Sequence, residues 1–425
     1  MNSRIACRAA AVGLLLVAAQ TPSRALAQVD GAAAVTKRIR AADASLTLDE
    51  LTTVVRAAKD CCADSTPLSL ELTRLLRESH PVYSGRLPTD ANRFRGFLLA
   101  SLGALPANDE LYDYVKAELR FGGHAFDIAA AAVAARGFAD RADELVPLLE
   151  PYLADTFMDA QVDVTTPRLD YPLANPTTAR REVIRTLAAF GARAAPLAPM
   201  LDAIERCPNC GTYASDEALP AQAADAARRI RAAASHGEAP DVHTSTDAPA
   251  LQLIDARQRS APVAKSLPLV DQEGRTLKFA DLQGRPFALS FLYSRCANPQ
   301  KCVLTVRQLG LLAAECADRG LAARVGVYGV TYDPQFDSPS ILKRFGAMYG
   351  LKFDKNVRLF KTTDDHSEEL RDELALRVSY GGGSVNHHGV QLFVFDKKGR
   401  LAALQDNEAW SPTDVRGVLA KLAAE

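Results

Sequence analysis

Phe287-Ala-Leu-Ser-Phe-Leu292, running into Tyr293-Ser-Arg-Cys296-Ala-Asn-Pro-Gln-Lys-Cys302, is the stretch on which the reading of this chain turns. The first six residues are an apolar run of strand length. A helical pattern follows from about Val303 to Arg319, so a strand, a short turn and a helix meet at two cysteines. Backbone N–H groups at a helix start favour thiolate over thiol. A thiolate placed there attacks a disulfide or binds a soft metal.

Outward from this stretch the second half is expected to alternate strands and helices. Leu267–Gly274 carries an extended segment into a turn, and Leu277–Gly284 leads to the Phe287 strand. Ala323–Thr331 reads as a strand and Ser338–Tyr349 as a helix. Val390–Phe395 and Leu401–Leu404 read as a hairpin joined by Asp396-Lys-Lys-Gly399. Ser411-Pro-Thr-Asp414 is a helix start, with Ser as cap and Pro at the first helical position. This order predicts a thioredoxin-like α/β domain over residues 265–425. Cys316 shares a helical stripe with Leu309 and Leu312 about four turns beyond Cys302, too far to bridge to it, and is expected to be a buried, inert thiol.

Several stretches of this half resemble the Sco/SenC family of exported copper-binding, thioredoxin-fold proteins. They are Leu282-Gln-Gly-Arg-Pro286, the aromatic strand Phe291-Leu-Tyr293, and Val330-Thr-Tyr-Asp-Pro334 with Asp337-Ser338. The last is Val385-Asn-His387, leading into Phe393-Val-Phe-Asp396-Lys-Lys-Gly399. The resemblance implies a copper site, Cu(I) or Cu(II), held by two cysteines and a histidine. By position these are Cys296, Cys302 and His387, with the adjacent His388 as the alternative. It also implies a copper-receiving partner such as a respiratory oxidase. Two departures stand out: five residues, including Asn298-Pro299, separate the cysteines where the family has three, and Asn386 stands where the family has Asp.

A second reading uses the same atoms as a thiol–disulfide oxidoreductase acting on a thiol-bearing exported protein, with Cys296 as nucleophile and Cys302 resolving. Against it, dedicated reductants use Cys-x-x-Cys and a cis-proline, and no proline occurs between Pro339 and Pro412. A peroxidase is disfavoured because Tyr293 stands three residues before Cys296, where such sites place threonine. The bland reading makes Cys296–Cys302 a plain disulfide and His387 an ordinary loop residue. Gly381-Gly-Gly-Ser384 is expected to be a flexible loop that lets His387 close over the cysteines. Thr362–Glu369, which contains His366, reads as a solvated helix start.

The first half has a different texture. At 425 residues the chain is too long for one ordinary core. Residues 28–234 are alanine-rich with helical periodicity. Candidate helices are Leu48–Lys59, Pro67–Glu78, Arg93–Leu102, Asp109–Leu119, Phe126–Arg136, Ala142–Leu153, Thr178–Phe190, Ala194–Glu205 and Pro220–Ala233. The segments starting at Gly137 and Gly191 look like two copies of one unit. They resemble HEAT-type helical repeats, whose long face suits protein docking; a plain bundle is the simpler alternative. Residues 235–264 are polar, contain proline and read as a linker. His80, His124, His236 and His243 lack partners at ligand spacing and read as surface residues.

Arg4 and Arg8, the apolar Ala9–Ala19 and Ala25-Leu26-Ala27 read as a secretory signal over residues 1–27. The chain is therefore expected to be periplasmic or otherwise exported, and bound to a membrane only if that segment stays attached. Loss of the signal removes Cys7. Seven cysteines remain in an oxidising compartment: Cys61, Cys62, Cys207, Cys210, Cys296, Cys302 and Cys316. A structural disulfide among the first four is favoured over zinc or a second redox pair. No other segment of the sequence reads as long and apolar enough to cross a bilayer. A net charge of −1, without a basic stripe, argues against nucleic acid as a partner.

Overall fold

The computed structural model describes residues 31–154, 156–206, 218–236, 251–261, 266–296, 298–381, 384–407 and 409–425. The signal segment, Cys207, Cys210, His243, Gly382 and Gly383 lie outside them.

The N-terminal half is helical. Its elements are α1 (Ala32–Arg40), α2 (Leu48–Cys62), α3 (Thr66–Arg74), α4 (Pro88–Leu102) and α5 (Asp109–Phe121). Then come α6 (Ala125–Ala135), α7 (Ala142–Ala154), α8 (Ala179–Phe190), α9 (Ala198–Arg206) and α10 (Leu219–His236). Side-chain caps set several starts: Thr47 and Glu50 form a reciprocal box at α2, Asn108 accepts from Leu111 N, and Thr178 accepts from Arg181 N. Alternate helices stack on one another: α4 on α6, α6 on α8, and α8 on α10. The alanines of α6, Ala129 to Ala132, are fully buried at the centre of that row. Small side chains there let the flanking helices close to native packing density. The run Ala179–Arg206 is long and apolar enough by length and composition to cross a membrane, which corrects the expectation that no such segment exists. It is divided into α8, a 3₁₀ turn and α9, and Val183, Ile184, Leu187, Leu197 and Leu201 lie in the helical core. Cys61 and Cys62 are bonded to each other at the end of α2.

The C-terminal half is α/β. Its strands are β1 (Pro268–Asp271), β2 (Thr276–Lys278), β3 (Phe287–Leu292), β4 (Gly326–Thr331), β5 (Val357–Thr362), β6 (Val378–Gly381), β7 (Ser384–His388), β8 (Gln391–Phe395) and β9 (Leu401–Asp406). Its helices are α11 (Leu304–Asp318), α12 (Pro339–Met348), α13 (Asp364–Glu373) and α14 (Pro412–Ala424). The main sheet runs β2-β1-β5-β4-β3-β8-β9, parallel across β5-β4-β3 and antiparallel outside them. Alternation along β3 divides the core. Ala288 and Leu292 face α11, α12 and α14, in a layer that also holds Cys302 and Cys316. Phe287, Leu289 and Phe291 face an aromatic layer with Tyr328, Phe360, Phe393 and Phe395.

Two elements depart from the expected order. β5, absent from the sequence reading, is a central strand between β1 and β4. The histidines lie on β7 of the hairpin β6–β7; of the glycine stretch expected to be a flexible loop, Gly381 and Ser384 end the two strands, and Gly382 and Gly383 lie outside the described residues. Part of the expected linker is also built into this half: Ile254 N donates to Ala402 O, and the buried Arg259 pairs with Asp396 and Glu425.

The two halves meet along α4, α5 and β7. Asn386 Nδ2 lies 3.1 Å from Arg86 O, and Arg377 stacks over the Tyr114 ring at 5.4 Å. A Cβ on Gly381 would stand 1.6 Å from Arg86 O, so only glycine permits this approach. Buried charges fill the seam. Arg95 lies 3.5 Å from Glu78 and 3.6 Å from Glu118, and Lys301 enters from the C-terminal half.

Candidate metal centre

β3 delivers the chain to Tyr293, and the next residues turn sharply. Ser294 N donates to Asp337 at 3.1 Å, and Arg295 makes a fork to Asp333 with Nε at 2.9 Å. Thr331 Oγ1 donates to Asp337 at 2.5 Å. The two aspartates after β4 thus hold the turn that carries Cys296. Sequence alone does not reveal this role, although Asp333-Pro334 and Asp337-Ser338 belong to the stretches that carry the family resemblance.

The five-residue spacing is absorbed by a π-helical turn, Pro299–Val303, which leads into α11. Asn298 caps it by accepting from Gln300 N at 2.8 Å, and Pro299 occupies its first position. A π turn is wider than an α turn, so two extra residues fit while Cys302 still returns beside Cys296. Tyr293 N lies 3.4 Å from Cys302 Sγ. Cys302 is fully buried, Cys296 is half-buried, and both are unbonded.

The third group is His388. Its Nε2 lies 3.5 Å from Cys296 Sγ and 3.5 Å from Cys302 Sγ, and all three ligand atoms lie within 4.8 Å of one another. His388 Nδ1 is 2.7 Å from Gly389 O, and a carbonyl only accepts, so Nδ1 carries the proton. In the neutral ring this leaves the Nε2 lone pair aimed at both sulfurs. Tyr293 and Tyr332 flank the imidazole, at centroid distances of 5.4 and 5.2 Å. Lys301 Nζ donates to His388 O at 2.9 Å.

His387, the residue favoured from position, points elsewhere. Its Nε2 is 3.2 Å from Glu118 and its Nδ1 is 3.6 Å from Glu78, both in the helical half. Burial, then Arg95 and Lys301, hold its pKa well below the ordinary histidine value, which leaves it neutral. The cause of the misassignment is a bulge. Tyr380 pairs with Val385 but Ser379 pairs with His387, so Asn386 is an unpaired extra residue. A bulge re-aims the side chains around it, and strict alternation fails. Nothing in the local sequence marks it. Among the other histidines, His80 accepts from Val82 N at 3.2 Å, His124 sits at the start of α6, and His366 contacts Thr363 at 2.6 Å. Cys316 is buried, and burial pushes its thiol up to about 11, as expected for an inert core cysteine.

The two site thiols differ. A hydrogen bond from Cys302, with the His388 ring adding to it, holds Cys296 well below the usual thiol range. Burial, and then the Cys296 charge, push Cys302 up. In the metal-free reduced chain Cys296 is the thiolate and Cys302 the thiol. A depressed folded pKa keeps the thiolate as pH falls. The rate of Cys296 alkylation is therefore expected to stay flat from about pH 9 down to about pH 5. A rate that falls about tenfold per pH unit below about pH 8.5, as for an ordinary thiol, would contradict this.

A thioredoxin-like α/β domain carrying two cysteines and one histidine at a strand–helix junction defines the class. The SCO1/SenC family model matches residues 255–424, the C-terminal α/β part of the chain. No curated protein matches the chain. Similar solved structures include a SCO1/SenC family lipoprotein from Bacillus anthracis, 19% identical, with a TM-score of 0.35, covering 39% of this chain and 98% of that one. The ScoI of Bradyrhizobium japonicum with copper bound is 17% identical, with a TM-score of 0.31, covering 37% and 98%. BsSco, described with a disulfide switch as a member of the Sco family of cytochrome c oxidase assembly proteins, is 17% identical, with a TM-score of 0.35, covering 40% and 98%.

Proposed function

We propose that this chain is an exported copper-binding Sco protein that delivers copper, or keeps thiols reduced, during assembly of a respiratory copper site such as that of cytochrome oxidase. In this reading Cys296, Cys302 and His388 are the ligands. The observation that carries it is the His388 Nε2 lone pair, 3.5 Å from both sulfurs. Two thiolates and one imidazole are a soft, low-coordinate set suited to Cu(I), and the imidazole also serves Cu(II). Copper is cargo here. Cys296, half-buried, is the ligand from which transfer starts, and Cys302 anchors the ion from the core side. Exchange with an exogenous disulfide oxidises the pair: Cys296 Sγ and Cys302 Sγ bond to each other, the exogenous S–S bond breaks and its two thiols leave with the electrons and the Cys302 proton, and both sulfur ligands are withdrawn, so redox state switches affinity.

The partner is a copper-receiving or thiol-bearing exported protein. Export rests on the signal-like residues 1–27. The helical half is read as HEAT-like repeats, supported by the stacking of alternate helices. A second reading, thiol–disulfide oxidoreductase, is favoured by the low pKa of Cys296 beside a protonated Cys302. Copper titration of the reduced full chain separates the two. One Cu(I) bound per chain, lost when the pair is oxidised, is the expected result. No Cu(I) uptake together with rapid reduction of a generic disulfide would move the function to thiol exchange.

A further inference from the structure

The loop between the cysteines touches the helical half directly. Asn298 Nδ2 donates to Phe121 O, the last residue of α5. A Cβ on Gly123 would stand 3.0 Å from Asn298 Nδ2 and 3.1 Å from its Cγ, so glycine gives the loop its seat. Across the site, β7 is tied down by Asn386 on Arg86 O and by His387 on Glu118. Both segments that carry the site, the cysteine loop and the histidine strand, are therefore clamped by the same helical surface. The loop contact falls in Asn298-Pro299, the pair that lengthens the spacing from three residues to five.

We propose that the helical half is a fixed cap on the cysteine loop, with Asn298 as its latch. Asn298 is a positioning residue: it holds the π turn down so that Cys296 stays beside His388 and closes the site on the helical side. The longer spacing is then an adaptation to the cap. The inference rests on the reading of Cys296, Cys302 and His388 as one site, and its test works without copper.

Two variants attack the latch from opposite sides. Asn298→Asp keeps the side-chain oxygen that accepts from Gln300 N but sets an oxygen in place of the donor to Phe121 O. Gly123→Ala pushes on Asn298 from the helical half and leaves every loop residue unchanged. The readout is the alkylation rate of Cys296 in the reduced, metal-free full chain at one neutral pH, with Cys316 as an internal control for unfolding. Loss of one net hydrogen bond corresponds to about a fivefold rise in the open population. Both variants are expected to raise Cys296 labelling about fivefold while Cys316 stays unlabelled. Rates unchanged in both variants, or Cys316 labelling that rises in parallel in both, would overturn the latch. Copper titration of the wild-type chain is scored separately. A chain that takes up no copper but shows the faster labelling loses the metal reading and keeps the cap. A chain that binds copper with unchanged labelling does the reverse.

Discussion

His388→Ala is expected to weaken Cu(I) binding by the reduced chain at least about 100-fold, beyond the 10–100-fold typical of residues that only support a ligand. The imidazole supplies the one nitrogen donor in the group, and its tautomer is fixed by Gly389 O. Among the described residues nothing nearby replaces it: Lys301 Nζ is spent on His388 O, and Tyr293 and Tyr332 present ring edges and faces. His387→Ala is expected to change copper affinity less than about 10-fold, since its nitrogens face Glu118 and Glu78 across the domain seam. The contrast is measured by competition of each variant against a Cu(I) chelator. Equal losses in the two variants, or the larger loss in His387→Ala, would reverse the ligand assignment.

Arg95→Met is expected to destabilise the chain by about 3–5 kcal/mol. Arg95 is 5% exposed and lies between Glu78 and Glu118, with its guanidinium over the rings of Tyr83 and Tyr114 at 5.9 and 5.5 Å. It also donates to Leu76 O. Methionine keeps the apolar stem and most of the volume, so cavity formation is a small part of the effect. What remains is two buried carboxylates that have lost a shared cation, faced by a neutral His387, by Lys301 and, on the Glu78 side, by Arg377. Breaking a buried pair by removing one partner costs more than the pair itself contributes, because the other charge stays desolvated. Urea unfolding of the full chain, followed by far-UV circular dichroism, measures the loss. A change within about 0.5 kcal/mol, the range of ordinary surface substitutions, would mean that the seam is not a buried charge network.

The particular elements show where sequence was informative. Helices α2 to α10 are recovered because apolar periodicity and caps such as Thr47, Asn108 and Thr178 are local signals. The β8–β9 hairpin is legible because Asp396-Lys-Lys-Gly399 sets its turn, with Gly399 at φ 74°. The start of α14 is legible in the same way, with Ser411 accepting from Asp414 N. β5 is not legible because Val-Arg-Leu-Phe-Lys-Thr does not alternate cleanly between apolar and polar residues, and what makes it a strand is its pairing with β1 and β4 from elsewhere in the chain. In the site, the cysteine pair was legible from its place between a strand and a helix. The third ligand position was not, because the choice between adjacent histidines depends on one bulge residue, Asn386, created by long-range pairing. The same holds for Glu78, Arg95 and Glu118. They are ordinary charged residues on helices until the second half of the chain buries them.

X-ray absorption at the copper edge, on the reduced full chain loaded with one equivalent of Cu(I), tests the central claim most directly. The account predicts a first shell of sulfur with one imidazole nitrogen, the nitrogen signature retained in His387→Ala and lost in His388→Ala. A shell without sulfur, or a nitrogen signature that survives His388→Ala and disappears in His387→Ala, would contradict it.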